Sequence, residues 1–365
     1  MCVAGARPNF PKLKPVLDAF EARDCPTTFV HTGQHYDPAL SDVFLDELGI
    51  RQPERLLEVG SGKHGDQTGR LMMSFEPVVE ELRPDVIVVA GDVNSTVACA
   101  LVGAKLGCLV AHVEAGLRSR DWAMPEEVNR VVTDRLSDYL LAPSPDAVAN
   151  LEAEGYRDDQ IHLVGNVMID TLMTNRDRAI ERLPNLRRRF DLTDYGLVTL
   201  HRPSNVDDPD RLASLIGALG TVSDEIPLLL PVHPRTKRTL AELGADLPAR
   251  LQLIEPQGYL DFLALQSGAR LVMTDSGGIQ EETTALGVPC LTLRESTERP
   301  ITIDEGTNEL VGVDPGRIIQ SARRVIRDGV EPRRPSLWDG HAADRIADVV
   351  IAGGPASSRR RPTDR

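Results

Sequence analysis

The residues best suited to bind a ligand follow an apolar run near the end of the chain. The run Leu271–Thr274 leads through Asp275 into Ser276-Gly277-Gly278 and then into a helix-like stretch. Glycines let a ligand approach the backbone closely, and the unpaired N–H groups at a helix start attract anions. Glu282 follows about one helical turn later, where its carboxylate can accept a hydrogen bond from a ribose hydroxyl. The pattern favours a phosphate-binding turn over an ordinary glycine-containing turn.

Two cationic residues follow the first apolar run of the chain, Cys2–Gly5. Arg7 and Lys12 come next in the sequence. Open α/β sheets bind their ligands at the carboxyl ends of the strands. Arginine offers a planar fork to phosphate oxygens, and lysine offers a point charge or a proton. We interpret the pair as a candidate anion site, and a solvated loop with two cations is the alternative.

Three carboxylates stand at comparable junctions in the first half of the chain. Asp92 follows the run Asp85–Ala90, Glu114 directly follows the run Leu109–Val113, and Glu126 lies at the start of a helix-like stretch. A carboxylate at the end of a buried strand is costly unless it is paired or used. Carboxylates that share a cleft push their pKa values apart, as acid–base catalysis requires. A structural role as a backbone hydrogen-bond acceptor is the alternative for Asp92.

Two histidines follow successive apolar runs in the second half of the chain. His201 and His233 each lie next to or near an arginine, in the sequences His201-Arg202 and His233-Pro-Arg235. Two neighbouring junctions with the same chemistry favour an anion pocket over structural histidines held by hydrogen bonds.

Other motif matches are incomplete. Residues 60–65 satisfy G-x-G-x-x-G but follow no strand, so a dinucleotide site is not indicated. His112-Val-Glu114 lacks the P-C-x-x-C partner of zinc deaminases, and the pair His31 and His35 lacks the glutamate of H-E-x-x-H. We therefore predict no metal and no cofactor.

Composition limits the class of protein further. The chain has 365 residues, a formal net charge of −14 and five scattered cysteines without a C-x-x-C pair. The length predicts two domains, and the acidic charge argues against nucleic-acid and anionic-membrane partners. The cysteines indicate free thiols in a reducing compartment, and no apolar run reaches the ~18 residues of a membrane span. With no secretory signal pattern, we expect a cytoplasmic protein.

Short apolar runs alternate with helix-like stretches along the whole chain, which is typical of α/β folds with buried parallel sheets. The series restarts after a charged, helix-like segment that begins near residue 166. We predict a domain at 1–165 that is joined by a C-terminal helix at 341–351, a domain at 166–340 and a disordered tail at 353–365. The predicted strands are Cys2–Gly5, Thr27–His31, Asp85–Ala90, Leu109–Val113, Tyr139–Ala142, Ile161–Val164, Gly196–Leu200, Pro227–Pro231, Leu251–Ile254, Leu271–Thr274 and Val288–Leu291.

Taken together and in order, these motifs resemble the non-hydrolysing UDP-N-acetylglucosamine 2-epimerases. The resemblance runs from residue 3 to about residue 330. Its motifs are Gly5-Ala-Arg-Pro-Asn, Thr32-Gly-Gln-His, Gly91-Asp, His112-Val-Glu-Ala-Gly-Leu-Arg, Pro125-Glu-Glu-Val-Asn-Arg, Gly165-Asn, His201-Arg, Thr274-Asp-Ser-Gly-Gly-Ile-Gln-Glu-Glu and Thr297-Glu-Arg-Pro. It implies a GT-B-like pair of Rossmann-like domains whose parallel sheets face a central cleft, and a homodimer that interconverts UDP-GlcNAc and UDP-ManNAc.

The resemblance also implies roles for single residues. The implied catalytic set is Lys12, Asp92, Glu114, Glu126 and His201. The implied contacts to the UDP moiety are Arg7, His201, Phe262, Ser276, Gly277, Gly278, Glu282 and Arg299, to which the anion-pocket argument adds His233. A second UDP-GlcNAc activates many bacterial relatives, and the matching positions here are Gln34, His35 and Gln67. Gly65-Asp66 stands before Gln67, where some relatives carry arginine.

The implied reaction removes the C2 proton of the sugar, expels UDP to leave a 2-acetamidoglucal, and adds UDP back after protonation of C2 from the other face. The alternatives are a hydrolysing epimerase that releases ManNAc and UDP, a GT-B glycosyltransferase, and a catalytically silent UDP-sugar sensor. The sequence from His112 to Arg118 resembles the non-hydrolysing branch. The product of this reaction can serve either an envelope polysaccharide or a specialised aminosugar product.

Overall fold

The computed structural model describes residues 1–5, 9–34, 47–232, 239–240 and 248–353. The chain divides into two compact units. The N-terminal unit comprises Met1–Thr171 and the segment from Ser336 onward, and the C-terminal unit comprises Leu172–Pro335. Within the described residues, no helix is both long and apolar enough to cross a membrane.

The N-terminal unit is built on a seven-stranded parallel sheet in the order β3-β2-β1-β4-β5-β6-β7. Its strands are β1 Cys2–Ala4, β2 Phe29–His31, β3 Arg55–Leu56, β4 Val86–Ala90, β5 Leu109–Val113, β6 Tyr139–Ala142 and β7 Ile161–Leu163. The central strands are almost wholly apolar because helices cover both faces of a parallel sheet. The strand order reverses between β1 and β4, which is where ligands bind in open α/β sheets.

The helices of this unit connect successive strands. They are α1 Phe10–Glu21, α2 His64–Leu82, α3 Asn94–Lys105, α4 Pro125–Leu136 and α5 Pro145–Ala153. Helix α6, Val167–Arg189, starts in the N-terminal unit and runs into the residue range of the C-terminal unit. Pro125 and Pro145 stand at the first position of α4 and α5, where a missing N–H costs nothing.

The C-terminal unit contains a six-stranded parallel sheet in the order β10-β9-β8-β11-β12-β13. Its strands are β8 Gly196–Thr199, β9 Leu228–Pro231, β10 Leu251–Ile254, β11 Leu271–Thr274, β12 Cys290–Thr292 and β13 Asn308–Leu310. Its helices after α6 are α7 Pro203–Val206, α8 Pro209–Ser223, α9 Tyr259–Ser267, α10 Gly277–Leu286, α11 Ile301–Asp304 and α12 Pro315–Asp328. Here the strand order reverses between β8 and β11.

The last helix, α13 Ala342–Gly353, belongs to the N-terminal unit. It packs against α1, and Arg23 joins the two through ion pairs to Asp344 (2.9 Å) and Asp348 (2.8 Å). The buried carboxylate of Asp170 accepts hydrogen bonds from the first two backbone N–H groups of α13, at 3.1 and 2.7 Å. The chain therefore returns to its first unit through a capped and ion-paired helix.

The predicted α/β fold with two parallel sheets is confirmed. Two strands were not predicted, because Arg55–Leu56 and Asn308–Leu310 are short and carry polar residues. Helix α1 begins at Phe10 and places Lys12 in its first turn, so the alternative of a solvated loop does not hold for Lys12. Of the predicted tail at 353–365, only Gly353 lies within the described residues.

Gly165 follows β7 in the left-handed conformation, with φ of +90°. A Cβ at this position would lie 2.2 Å from the carbonyl oxygen of Leu337, in the segment that leads to α13. Gly155 has a similar φ of +79°, but a Cβ there meets nothing within 4 Å. A comparison of alanine substitutions at Gly155 and Gly165 therefore separates the cost of backbone strain from the cost of a steric clash.

We expect Gly155→Ala to lower the free energy of unfolding by ~1–2 kcal/mol, the cost of a left-handed backbone. Gly165→Ala adds displacement of the segment at Leu337, so we expect a further ~1–3 kcal/mol. Urea unfolding of both variants measures the difference. An equal loss in the two variants contradicts the packing of this segment against β7.

Candidate functional site

Three of the four predicted catalytic residues of the first half lie near the point where the sheet order reverses. Lys12 lies in α1 directly after β1, Asp92 follows β4, and Glu114 follows β5. Because the strands are parallel, these three residues all stand at the carboxyl edge of the same sheet. We call this group the N-terminal half-site.

Lys12 and Glu114 form an ion pair between Nζ and Oε2 in which Glu114 is almost fully buried. Glu114 has φ of +71°, which is costly for a residue with a side chain. Its second oxygen, Oε1, is buried and accepts no hydrogen bond from any described residue. A strained carboxylate with one oxygen held by a cation and the other unengaged is an arrangement suited to proton transfer.

Gly91 makes room for this ion pair. Its φ is +68°, and a Cβ there would lie 2.9 Å from Lys12 Nζ. Asn9, which sequence reasoning did not single out, ties the adjoining backbone together. Its Oδ1 accepts from the N–H of Gly5 (3.2 Å), and its Nδ2 donates to the carbonyl of Ala90 (2.8 Å).

Asp92 is held by Arg130 of α4, at 2.6 Å between Oδ2 and the guanidinium. About a third of the Asp92 side chain is exposed, so its carboxylate is both oriented and open to solvent. Asn129 donates to the Asp92 carbonyl at 2.9 Å. Arg130 and Asn129 stand in the motif that begins at Pro125, but nothing in that motif indicates a partner 37 or 38 residues earlier.

The adjacent acids of α4 have different environments. Glu126 is exposed in the first turn, and no hydrogen bond or ion pair joins it to Lys12, Asp92 or Glu114 in the described part of the chain. Glu127 is buried, forms an ion pair with Arg130, and accepts from two backbone N–H groups at 3.0 and 2.9 Å. Glu127 is therefore committed to structure, which leaves Glu126 available to a ligand.

The two described positions that match the activator site lie in a buried amide network. Gln34 Oε1 accepts from the N–H and the hydroxyl of Ser95, at 3.0 and 2.7 Å. Gln67 Nε2 donates to the Gln34 carbonyl (3.2 Å), and Gln67 Oε1 accepts from Asn94 (2.8 Å). The network links the end of β2 to the starts of α2 and α3. The predicted site residues Arg7, His35 and His233 lie outside the described residues.

In the C-terminal unit, His201 and Asp275 meet where β8 and β11 end. His201 Nδ1 lies 2.7 Å from Asp275 Oδ1, and the imidazole is 60% exposed while the carboxylate is fully buried. Asp275 also accepts from the N–H groups of His201 and Arg202 and from Asn205. Burial alone would raise the pKa of Asp275, but the hydrogen bond from His201 and those from the backbone outweigh it and hold the pKa below its usual range.

The Ser276-Gly277-Gly278 turn forms the N-terminus of α10, as predicted. The Ser276 side chain makes no capping hydrogen bond, so the first N–H groups of α10 are not capped by it. A Cβ on Gly277 would lie 2.8 Å from the guanidinium of Arg299, whereas a Cβ on Gly278 would meet nothing within 4 Å. The turn therefore offers N–H donors, with an arginine on one side and open space on the other.

Arg299 is 15% exposed and is paired with Glu281 at 2.8 Å. Glu282 is the next residue on α10 and is buried. Burial raises the pKa of Glu282 to about 7, where a hydrogen bond from Gln266 opposes the rise and the Glu281 charge adds to it. Phe262 is half-buried on α9, which packs against α10. We call the group formed by His201, Phe262, Ser276–Gly278, Glu282 and Arg299 the C-terminal half-site.

A family model described as UDP-N-acetylglucosamine 2-epimerase matches residues 18–351. A UDP-N-acetylglucosamine 2-epimerase of Methanocaldococcus jannaschii is 40% identical over 361 residues, which cover 96% of this chain and 98% of the relative. A UDP-2,3-diacetamido-2,3-dideoxy-D-glucuronate 2-epimerase of Pseudomonas aeruginosa is 39% identical, with 96% of this chain and 98% of the relative covered.

Among solved structures, the M. jannaschii UDP-GlcNAc 2-epimerase in complex with UDP-GlcNAc and UDP matches with a TM-score of 0.86 and 40% identity. The match covers 96% of this chain and 99% of that one. The motifs, the two parallel sheets and these relatives agree, and the chain belongs to the UDP-N-acetylglucosamine 2-epimerase family.

Proposed function

We propose that this protein interconverts UDP-GlcNAc and UDP-ManNAc by inverting C2 of the sugar without hydrolysis. The observation that carries the proposal is the ion pair of Lys12 and Glu114. The Glu114 carboxylate is buried, its Oε1 accepts no hydrogen bond from a described residue, and Asp92 stands at the same edge of the sheet. The family relatives that carry this activity in their names support it.

The C-terminal half-site is proposed to bind UDP. The N–H groups at the start of α10 and the guanidinium of Arg299 are suited to the diphosphate oxygens. Glu282 is suited to a ribose hydroxyl, and Phe262 provides an apolar surface for the uracil ring. His201, oriented by the Asp275 carboxylate, is the residue we assign to the departing phosphate, where an oriented imidazole can donate a proton or a hydrogen bond.

The N-terminal half-site is proposed to move the proton. A carboxylate takes the hydrogen from C2, the C2–H electron pair forms the C1–C2 double bond, and the C1–O bond breaks with its electrons on UDP. In the second step UDP adds back to C1 while C2 receives a proton on its other face. Asp92, Glu114 and Glu126 are the candidate acids and bases, and Lys12 orients Glu114 through their ion pair.

A sugar nucleotide with further substituents on the sugar is the second candidate substrate. The P. aeruginosa relative is named for a diacetamido glucuronate, and it is as similar to this chain as the archaeal UDP-GlcNAc enzymes. All these substrates share a UDP group and an acylated amine at C2. We place UDP-GlcNAc first because two of the relatives most similar to this chain are named for it.

We also propose a cytoplasmic homodimer, with a second UDP-GlcNAc as activator. The support for the activator site is positional: Gln34 and Gln67 match the family positions and lie in one network with Asn94 and Ser95. The network includes Asn94, which lies two residues after Asp92. A ligand that shifts the network would therefore act close to the catalytic carboxylates.

Incubation with UDP-GlcNAc in deuterated water tests the activity. We expect deuterium at C2 and the appearance of UDP-ManNAc by proton NMR. Free ManNAc with UDP would indicate a hydrolysing enzyme instead, and an absence of exchange even with excess UDP-GlcNAc as activator would contradict the epimerase proposal.

Asp92→Asn keeps the size of the side chain but removes its negative charge. We expect a loss of C2 exchange of about 10²-fold or more, with the Kd for UDP unchanged because Asp92 is not among the proposed UDP contacts. Asp158→Asn, at an exposed position of the same unit, is the matched control. Loss of UDP binding in a folded Asp92→Asn protein contradicts the assigned role.

Gly278→Ala tests the diphosphate site. The free protein has space for the methyl group, so we expect an unchanged or slightly higher Tm. A bound diphosphate would occupy that space, so we expect UDP binding to weaken at least ~10-fold. The control is Gly217→Ala, an exposed position on α8 that also has open space around it. Equal UDP affinity in the two variants would contradict the proposal that the diphosphate binds at this turn.

A further inference from the structure

The central strand β5 carries one polar residue, His112, which is fully buried two residues before Glu114. We infer that His112 is a positioning residue whose two ring nitrogens both donate hydrogen bonds, an imidazolium that fixes the Gly91–Asp92 turn against Glu114. The inference rests on the proposed epimerase function for its catalytic consequence, but the charge state of His112 does not depend on that function.

Both ring nitrogens of His112 face oxygen acceptors. Nε2 lies 2.8 Å from the carbonyl oxygen of Gly91, and a carbonyl only accepts, so Nε2 carries a proton. Nδ1 lies 2.6 Å from Oδ1 of Asp134. The other oxygen of Asp134 accepts from the N–H of Gly116 (3.1 Å) and from the guanidinium of Arg118 (2.7 Å). Those donors favour an ionised carboxylate, so Nδ1 donates as well and the ring is positively charged.

The surroundings balance this charge. Arg118 also pairs with Glu154 at 2.7 Å, so the cluster holds two cations, His112 and Arg118, and two anions, Asp134 and Glu154. The side chains of His112 and Asp134 are fully buried, and that of Arg118 is 3% exposed. Burial of Arg118 opposes its charge, but Glu154 and Asp134 outweigh that effect and raise the pKa of Arg118. If one charge of such a cluster is removed, its partner is left as an unpaired buried charge, which is strongly destabilising.

The imidazolium ties together the backbone segments that carry the catalytic carboxylates. Gly91 donates its N–H to the carbonyl of Val113 (3.1 Å) and accepts from His112, so both of its polar groups are fixed to β5. Asp134 lies on α4, the helix that also carries Glu126 and the Arg130 that holds Asp92. His112 therefore adds a side-chain hydrogen bond to the backbone hydrogen bond that joins Gly91 to β5, and a misplacement of Asp92 by about 1 Å is enough to cost ~10²-fold in rate.

The charge state is tested on the wild-type protein by long-range ¹H–¹⁵N NMR of ring-labelled histidine, with His112 assigned by its absence in His112→Gln. We expect both His112 nitrogens to be protonated at neutral pH. A nitrogen without a proton overturns the inference. This measurement requires no activity, so its failure is distinguishable from a failure of the epimerase proposal, which the wild-type deuterium exchange reports.

The positioning role is tested by kinetics. In His112→Gln we expect kcat to fall about 100-fold, with KM and the Kd for UDP within about threefold of wild type, because the C-terminal half-site is untouched. A purely structural role would instead lower Tm and leave kcat of the folded protein unchanged, and that result overturns the proposal.

Asp134→Asn gives a second, milder variant. The amide that it introduces can donate to Nδ1, which makes His112 neutral but keeps its Nε2–H on Gly91. We therefore expect an Nδ1 without a proton and a kcat that lies between wild type and His112→Gln. If His112→Gln does not fold, this variant and the wild-type spectrum decide the question: an Asp134→Asn protein whose ring is neutral but whose kcat is that of the wild type contradicts the inference.

Discussion

A carboxylate that is wholly or partly buried needs a cation or hydrogen-bond donors beside it, and the N-terminal unit supplies cations in three places. Lys12 pairs with Glu114, Arg130 pairs with Glu127 and Asp92, and the cluster of His112 and Arg118 pairs with Asp134. Desolvation of an unpaired carboxylate would cost several kcal/mol, so these pairs make the burial of Glu114, Glu127 and Asp134 possible. Glu127 and Asp134 are committed to structural contacts, whereas Glu114 keeps a buried oxygen that accepts no hydrogen bond from a described residue and Asp92 keeps about a third of its side chain exposed.

The C-terminal unit handles charge differently, because its proposed ligand is itself an anion. Its buried Asp275 serves to orient an exposed imidazole, and its glycine turn offers N–H groups without capping them. A chain with a net charge of −14 repels a nucleotide over long distances, so capture must come from such local donors. Each unit thus carries out a distinct part of the proposed reaction, with proton transfer in one and anion binding in the other.

Much of this was predictable from the sequence, since unbroken apolar runs identify buried parallel strands and the acids that follow them identify the carboxyl edge of the sheet. Asp92 and Glu114 could be found in this way because each lies directly after such a run or in the turn that follows it, and Lys12 because it lies in the first helical turn after the first run. The residues that hold these groups in place could not be predicted. Arg130 and Asp134 lie 38 and 22 residues from the groups that they hold, on a helix whose rotation relative to the sheet is set by packing. The role of His112 was hidden for the same reason, because a histidine inside an apolar run predicts burial but not its two acceptors.

The proposed reaction depends most on UDP leaving C1 and returning to it. Positional isotope exchange measures this directly, with UDP-GlcNAc that carries ¹⁸O in the bridge between C1 and the β-phosphorus, followed by ³¹P NMR. If the C1–O bond breaks and the β-phosphate turns before it adds back, the label spreads to the non-bridging oxygens of both the product and the recovered substrate. Formation of UDP-ManNAc with the label still wholly in the bridge would contradict this mechanism.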